Sequence, residues 1–133
     1  MTDLDDIPAP RGDLTLKLLA SRQDTNLHGD IAGGWLVAHM DQAAELAAGR
    51  EAHGRTATVA IEAMDFLCPV RVGSMVNIYT TLREVGHSSL HIDVEVWIRQ
   101  PQERDPRELH KVTEASFVMV ALDDKGRIRA VHQ

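Results

Sequence analysis

The chain has little of several things, and each shortage removes a class of protein. Its 133 residues hold one cysteine, Cys68, so no disulfide can form within the chain, which fits a reducing cytoplasm. Aromatic residues make up 4% of the sequence, too few for the stacking platforms that hold single-stranded nucleic acid. Basic residues are in the minority: 14 Lys and Arg against 20 Asp and Glu give a formal net charge of −6. That balance argues against a nucleic-acid partner, whose phosphates need a basic surface. No apolar run approaches the roughly 20 residues of a membrane helix. The opening Met1-Thr2-Asp3-Leu4-Asp5-Asp6 lacks the basic and apolar regions of a secretory signal. The expectation is a cytoplasmic domain with neither nucleic acid nor membrane as partner.

What is present is ordinary in bulk and informative in its order. A hydrophobic fraction of 44% and a charged fraction of 26% suit one globular core in 133 residues. Residues 1–13 combine Pro and Gly breaks with acids and read as a flexible leader, leaving 14–133 as a single domain. Leu14–Leu19 alternates as a first strand. Ile31–Ala48 is the one long helical pattern, with Trp35, Leu36, Val37, Met40, Ala43, Ala44, Leu46 and Ala47 covering most of its circumference. Gly49 reads as its stop.

The hydrophobic period then changes to two. Thr56–Phe66, Met75–Val85, His87–Arg99 and Leu109–Leu122 read as strands, with a short last one near Arg127–Val131. The clearest is Leu90-His91-Ile92-Asp93-Val94-Glu95-Val96-Trp97-Ile98, aliphatic at every second position. One buried helix and about six antiparallel strands predict an α+β hotdog fold, a curved sheet wrapped around a central helix. Such a sheet leaves open edges, so a homodimer is the expected minimal unit.

Candidate chemistry gathers at the start of the helix. Gly33-Gly34 at a helix N-terminus offers backbone N–H groups to developing negative charge, although close packing also explains glycine. Asp41 follows two helical turns later beside Val37, Ala38, Ala44 and Glu45. It is either an acid set favourably in the helix dipole or a general base or nucleophile for a carbonyl. Asn26, in the preceding polar loop, is either turn chemistry or an amide that orients water or substrate. The seven histidines show no paired metal spacing, so no metal is expected. No Gly-x-Ser-x-Gly elbow exists, which disfavours a serine hydrolase. Cys68, before Pro69, reads as a small buried hydrophobe.

Asn26-Leu27-His28-Gly29-Asp30-Ile31-Ala32-Gly33-Gly34-Trp35, followed by Met40-Asp41, resembles the motif of bacterial hotdog acyl-CoA thioesterases of the YciA type. The likeness continues through His53-Gly54-Arg55, Phe66-Leu67-Cys68-Pro69-Val70-Arg71-Val72-Gly73 and Glu95-Val96-Trp97, from about Leu14 to Ala130. It implies hydrolysis of acyl-CoA at a site shared by two subunits, with no cofactor beyond the CoA of the substrate. It also implies Asp41 on one subunit as base or nucleophile and Asn26 of its partner positioning water or substrate. Gly33 or Gly34 would bind the oxyanion, and Thr58 would place a hydroxyl nearby. Ala32 departs from the pattern, where relatives carry a larger aromatic or histidine side chain; this widens the space beside the thioester.

A phosphate-bearing substrate needs donors, and Arg83, Gly86, His87, Ser88, Ser89 and Arg99 are the expected CoA-binding set. A tetramer or hexamer is the expected full assembly. Two rivals remain. A hotdog hydratase or dehydratase needs a general acid/base pair, often with histidine; the polar loop offers His28, but the helix places Asp41 without a clear histidine partner. A non-catalytic acyl-CoA sensor needs an output domain, for which 133 residues leave no room.

Overall fold

The computed structural model describes residues 8–132, so residues 1–7 of the expected leader lie outside the described residues. Five strands and one long helix follow in the order β1 (Asp13–Leu19), α1 (Gly33–Ala52), β2 (Thr56–Phe66), β3 (Met75–Val85), β4 (Ser89–Arg99) and β5 (His110–Ala121). The sheet runs β1-β3-β4-β5-β2, with every pairing antiparallel. β1 and β2 are therefore its edges.

Period-two alternation decides which face the sheet turns to α1. Val76 and Ile78 of β3, Leu90, Ile92, Val94 and Val96 of β4, and Phe117 and Met119 of β5 have no solvent exposure. Against them α1 lays Leu36, Met40, Ala43, Ala44, Ala48 and Ala52, and it touches all five strands. The four alanines let the helix axis approach the sheet closely. Met40, wholly buried at its middle, contributes about 1.5–3 kcal/mol by leaving water.

Three expectations need correction. First, Gly49 does not end the helix: α1 continues to Ala52, and the left-handed position falls on His53 at φ 53°. Gly49 instead admits the returning chain, since a Cβ there would stand 3.3 Å from the Gly54 carbonyl oxygen. Gly54 N–H donates to the Gly49 carbonyl at 3.2 Å. Second, the sixth strand is only a bridge between Leu122 and Ile128. The chain there is drawn under α1, because the Arg129 guanidinium donates to the carbonyls of Ala52 (2.7 Å), Leu122 (3.0 Å), Ala130 (2.8 Å) and Val131 (3.1 Å). Third, α1 buries one face rather than most of its circumference: Ala38 and Glu45 are exposed, and Leu46 keeps 44% of its surface in solvent.

Candidate active site

The N-terminal end of α1 is left chemically open. Its cap, Ala32, has no side chain able to bond the first turn, and no acid occupies that turn. The Ala32 carbonyl accepts from Trp35 and Leu36 N–H. Among the described residues nothing accepts from Gly33 or Gly34 N–H. An α-helix always begins with unpaired N–H groups, and side-chain capping is the usual remedy. Here that remedy is missing and both glycines are exposed.

Packing does not account for the glycine pair. Neither has positive φ. A Cβ on Gly34 would meet nothing within 4 Å, and one on Gly33 would touch only the Phe66 ring, at an ordinary 3.7 Å. Within one protomer, alanine fits both positions.

The loop before α1 holds Asn26 rigidly. Its Oδ1 accepts from His28 N–H at 2.8 Å and Asp30 N–H at 3.2 Å, and its own N–H donates to the Asp30 carbonyl at 2.7 Å. The turn reading of this asparagine is thus seen in its hydrogen bonds, and it leaves the amide nitrogen available for the other. The turn engages the side-chain oxygen, while Nδ2 has no acceptor among the described residues.

Asp41 lies half-buried on α1. The Thr58 hydroxyl, from β2, donates to its Oδ1 and lies 3.3 Å from Met119 Sδ. That bond fixes the carboxylate rotamer, and among the described residues Oδ2 has no hydrogen-bond partner. Gly33 and Asp41 are eight residues apart on one helix, so about 12 Å separates them along the axis. In a single protomer they cannot both touch one carbonyl group.

The expected CoA-binding set is dispersed. Ser89 and Arg99 bound the 11-residue β4, roughly 33 Å apart. Arg99 donates to the carbonyls of Glu103 and Arg104 in the charged loop. Arg83 bonds Ser116 Oγ at 3.0 Å and pairs with Asp93 at 3.6 Å, on the sheet face away from α1. In the hairpin, Gly86 N–H donates to the Ser89 carbonyl, while the His87 and Ser88 carbonyls accept from Val131 and Ala121. These six residues form no single patch in one protomer.

Sequence reading gave no role to the Phe66–Val70 segment. With Ile31, Gly33 and Leu36 it lines a cavity of about 340 Å³ at the open end of α1. Its signals in the sequence are an apolar run broken by Pro69 and its place in the stretch that carries the family resemblance. Cys68 belongs to this wall, its Sγ 3.5 Å from the Lys111 carbonyl. Burial pushes its thiol up from the ordinary range, so it stays protonated and is a poor nucleophile. Among the described residues no group of His, Cys, Asp or Glu is arranged to hold a metal, and no helix is long and apolar enough to cross a membrane.

Comparison with known proteins places this geometry. A family profile described as the thioesterase superfamily matches residues 28–104. The acyl-CoA thioester hydrolase YciA of Escherichia coli is 43% identical over 122 residues, covering 92% of each chain. A solved hexameric broad-specificity acyl-coenzyme A thioesterase is 41% identical, with a TM-score of 0.88 over 100% of this chain and 89% of its own. An acyl-CoA hydrolase of Staphylococcus aureus, solved with butyryl-CoA, CoA and CoA disulfide, is 26% identical, with a TM-score of 0.78 over 86% of this chain and 68% of its own. Structures exist of its single-alanine variants at an asparagine, an aspartate fifteen positions later and a threonine seventeen beyond that. Asn26, Asp41 and Thr58 have the same spacing here. The chain belongs to the thioesterase superfamily and, within it, to the YciA-type acyl-CoA thioester hydrolases of hotdog fold.

Proposed function

We propose that this protein hydrolyses acyl-CoA to a carboxylic acid and free CoA, at two equivalent sites across a two-fold dimer. The observation that carries this reading is the separation along α1. Asn26 and the free N–H groups of Gly33 and Gly34 share one end of the helix, and Asp41 with Thr58 lies about 12 Å further on. Two helices running antiparallel across a two-fold axis bring the first group of one protomer to the second group of the other, twice. The open edge of β2, with Val59 and Ile61 58% and 42% exposed, offers the pairing strand. Hexameric relatives support assembly beyond the dimer.

In such a site the thioester oxygen accepts Gly33 or Gly34 N–H, whose dipole opposes the charge that develops there. Asn26 Nδ2 donates to the water or the carbonyl. Asp41, steadied by Thr58, removes the water proton as hydroxide oxygen bonds the carbonyl carbon, or attacks that carbon itself. In the first route the C–S bond then breaks, and the abstracted proton passes to the departing CoA sulfur. In the second the C–S bond breaks to leave an acyl-aspartyl anhydride and CoA thiolate. The water that hydrolyses the anhydride releases the acid, restores Asp41 and protonates the thiolate.

The test follows from the shared site. Free-thiol release from acyl-CoA should fall by about 10²–10⁴-fold in Asp41→Asn. It should also fall in Asn26→Asp, which keeps the acceptor for the loop but removes the Nδ2 donor. Co-expression of the two variants forms heterodimers half the time, each with one intact site, so about a quarter of wild-type activity should return. A mixed sample no more active than either variant alone would sink the shared site. A wild type that binds acyl-CoA without releasing thiol would make the protein a sensor.

A further inference from the structure

We infer that Phe66 is the specificity-determining residue of this enzyme, half-exposed on the rim of an open, mainly apolar cavity that takes the acyl chain; the inference rests on the hydrolase reading above. The cavity, about 340 Å³, lies between the first turn of α1 and the end of β2, lined by Ile31, Gly33, Leu36, Phe66, Leu67 and Val70 among others. Its floor is Leu36 and Ile31, 2% and 6% exposed.

A bulge in β2 puts Phe66 there. Ala60, Ile61 and Glu62 oppose Val118, Phe117 and Ser116, one for one. Between Glu62 and Asp65 the register shifts, so three steps on β2 match two on β5, and Phe66 comes to oppose Thr113. Residues directly opposite share a sheet face. Phe66 thus lies on the face of Phe117, toward α1. Without the extra residue the alternation would turn it away. The bulge costs conformational strain: Ala63 sits at φ 55°, a left-handed position disfavoured for any residue with a Cβ. Strain of this kind persists where the fold over-determines it and clusters at functional sites. The ring then stands 3.7 Å from the point a Gly33 Cβ would occupy, so the glycine leaves the gap that Phe66 borders.

Chemistry selects the occupant. A thioester carbonyl held by the N–H groups of Gly33 and Gly34 has two substituents. The pantetheine arm carries several amide donors and acceptors that this mainly apolar lining, with the Gly33 N–H already given to the carbonyl, would leave largely unpaired, which is costly. The acyl chain carries no such groups. The cavity volume is at the small end of the roughly 300–1000 Å³ typical of ligand cavities, which suits short to medium straight chains.

The experiment is a kcat/KM series over straight-chain acyl-CoAs from acetyl to palmitoyl, on variants outside the proposed catalytic group. Phe66→Ala should raise kcat/KM on the long chains by about tenfold, while Leu67→Trp, at an exposed position, should lower it on them by a similar factor. Acetyl-CoA, whose methyl group extends least into the cavity, should change least, so the reading is the ratio of long-chain to acetyl kcat/KM for each variant. Unchanged length profiles in folded, active variants would overturn the cavity assignment and leave hydrolysis standing. Absence of thiol release by the wild type from every member would overturn the hydrolase reading and this inference with it.

Discussion

The two ends of α1 are finished in opposite ways. At the C-terminal end, backbone groups are engaged: the N–H groups of His53 and Gly54 donate to Gly49, and Arg129 reaches back to the Ala52 carbonyl. A cation at that end also suits the negative pole of the helix dipole. At the N-terminal end, an alanine cap and two glycines leave the positive pole without an acid in the first turn or, among the described residues, a side-chain acceptor. A protein selected only for stability would cap both ends alike, since a cap residue is worth about 0.5–2 kcal/mol. Substitutions at the open end should therefore change turnover and spare stability, and those at the closed end should do the reverse.

The sharpest test removes one N–H from the open end without disturbing the helix. Gly33 is the first helical residue, where proline is well tolerated, and Ala32 before it already has φ −66° and ψ 135°, as a pre-proline residue requires. Gly33→Pro should lower kcat by about 10²–10³-fold, the effect of losing one oxyanion donor. Its melting temperature should hold or rise, because proline restricts the unfolded chain. Wild-type turnover in Gly33→Pro would deprive that N–H of its role.

At the closed end, Arg129→Met keeps much of the side-chain bulk and loses all four donations to carbonyl oxygens. Hydrogen bonds from a charged donor are worth about 1.5–3 kcal/mol, so the melting temperature should fall by roughly 5–15 °C. Thiol release well below the transition should match wild type. A variant equally stable but slow would break the division between the two ends.

The sequence revealed the open end better than the closed one, for a physical reason. The glycine pair, Asn26 and Asp41 lie within one local stretch, and the limits of β2 and β3 follow from alternation alone. The closed end depends on Arg129, seventy-seven residues from the carbonyl it caps, and no local pattern announces such a contact. Gly49 was misread because glycine usually takes the left-handed position, which His53 takes instead. Bulges hid the rest. Arg83 is the extra residue where Leu82 opposes Ile92 and Glu84 opposes His91; beyond such a shift, counting by twos no longer tells which face a side chain takes. The same effect concealed Phe66.

The smallest effect expected is at His53, and it tests whether the closed end is optimised or merely satisfied. Its φ of 53° disfavours any side chain with a Cβ, by roughly 1–2 kcal/mol. His53 is exposed, and its ring has no hydrogen-bond partner among the described residues, so little holds histidine there. His53→Gly relieves the strain, while the added freedom of glycine in the unfolded chain offsets about 0.4–1 kcal/mol of the gain. The net should be a rise in melting temperature of a few degrees, with unchanged thiol release. His53→Ala keeps the Cβ and should bring no such rise. If glycine lowered the melting temperature, the histidine ring would have to be holding the end of α1 through a contact that the backbone geometry does not require.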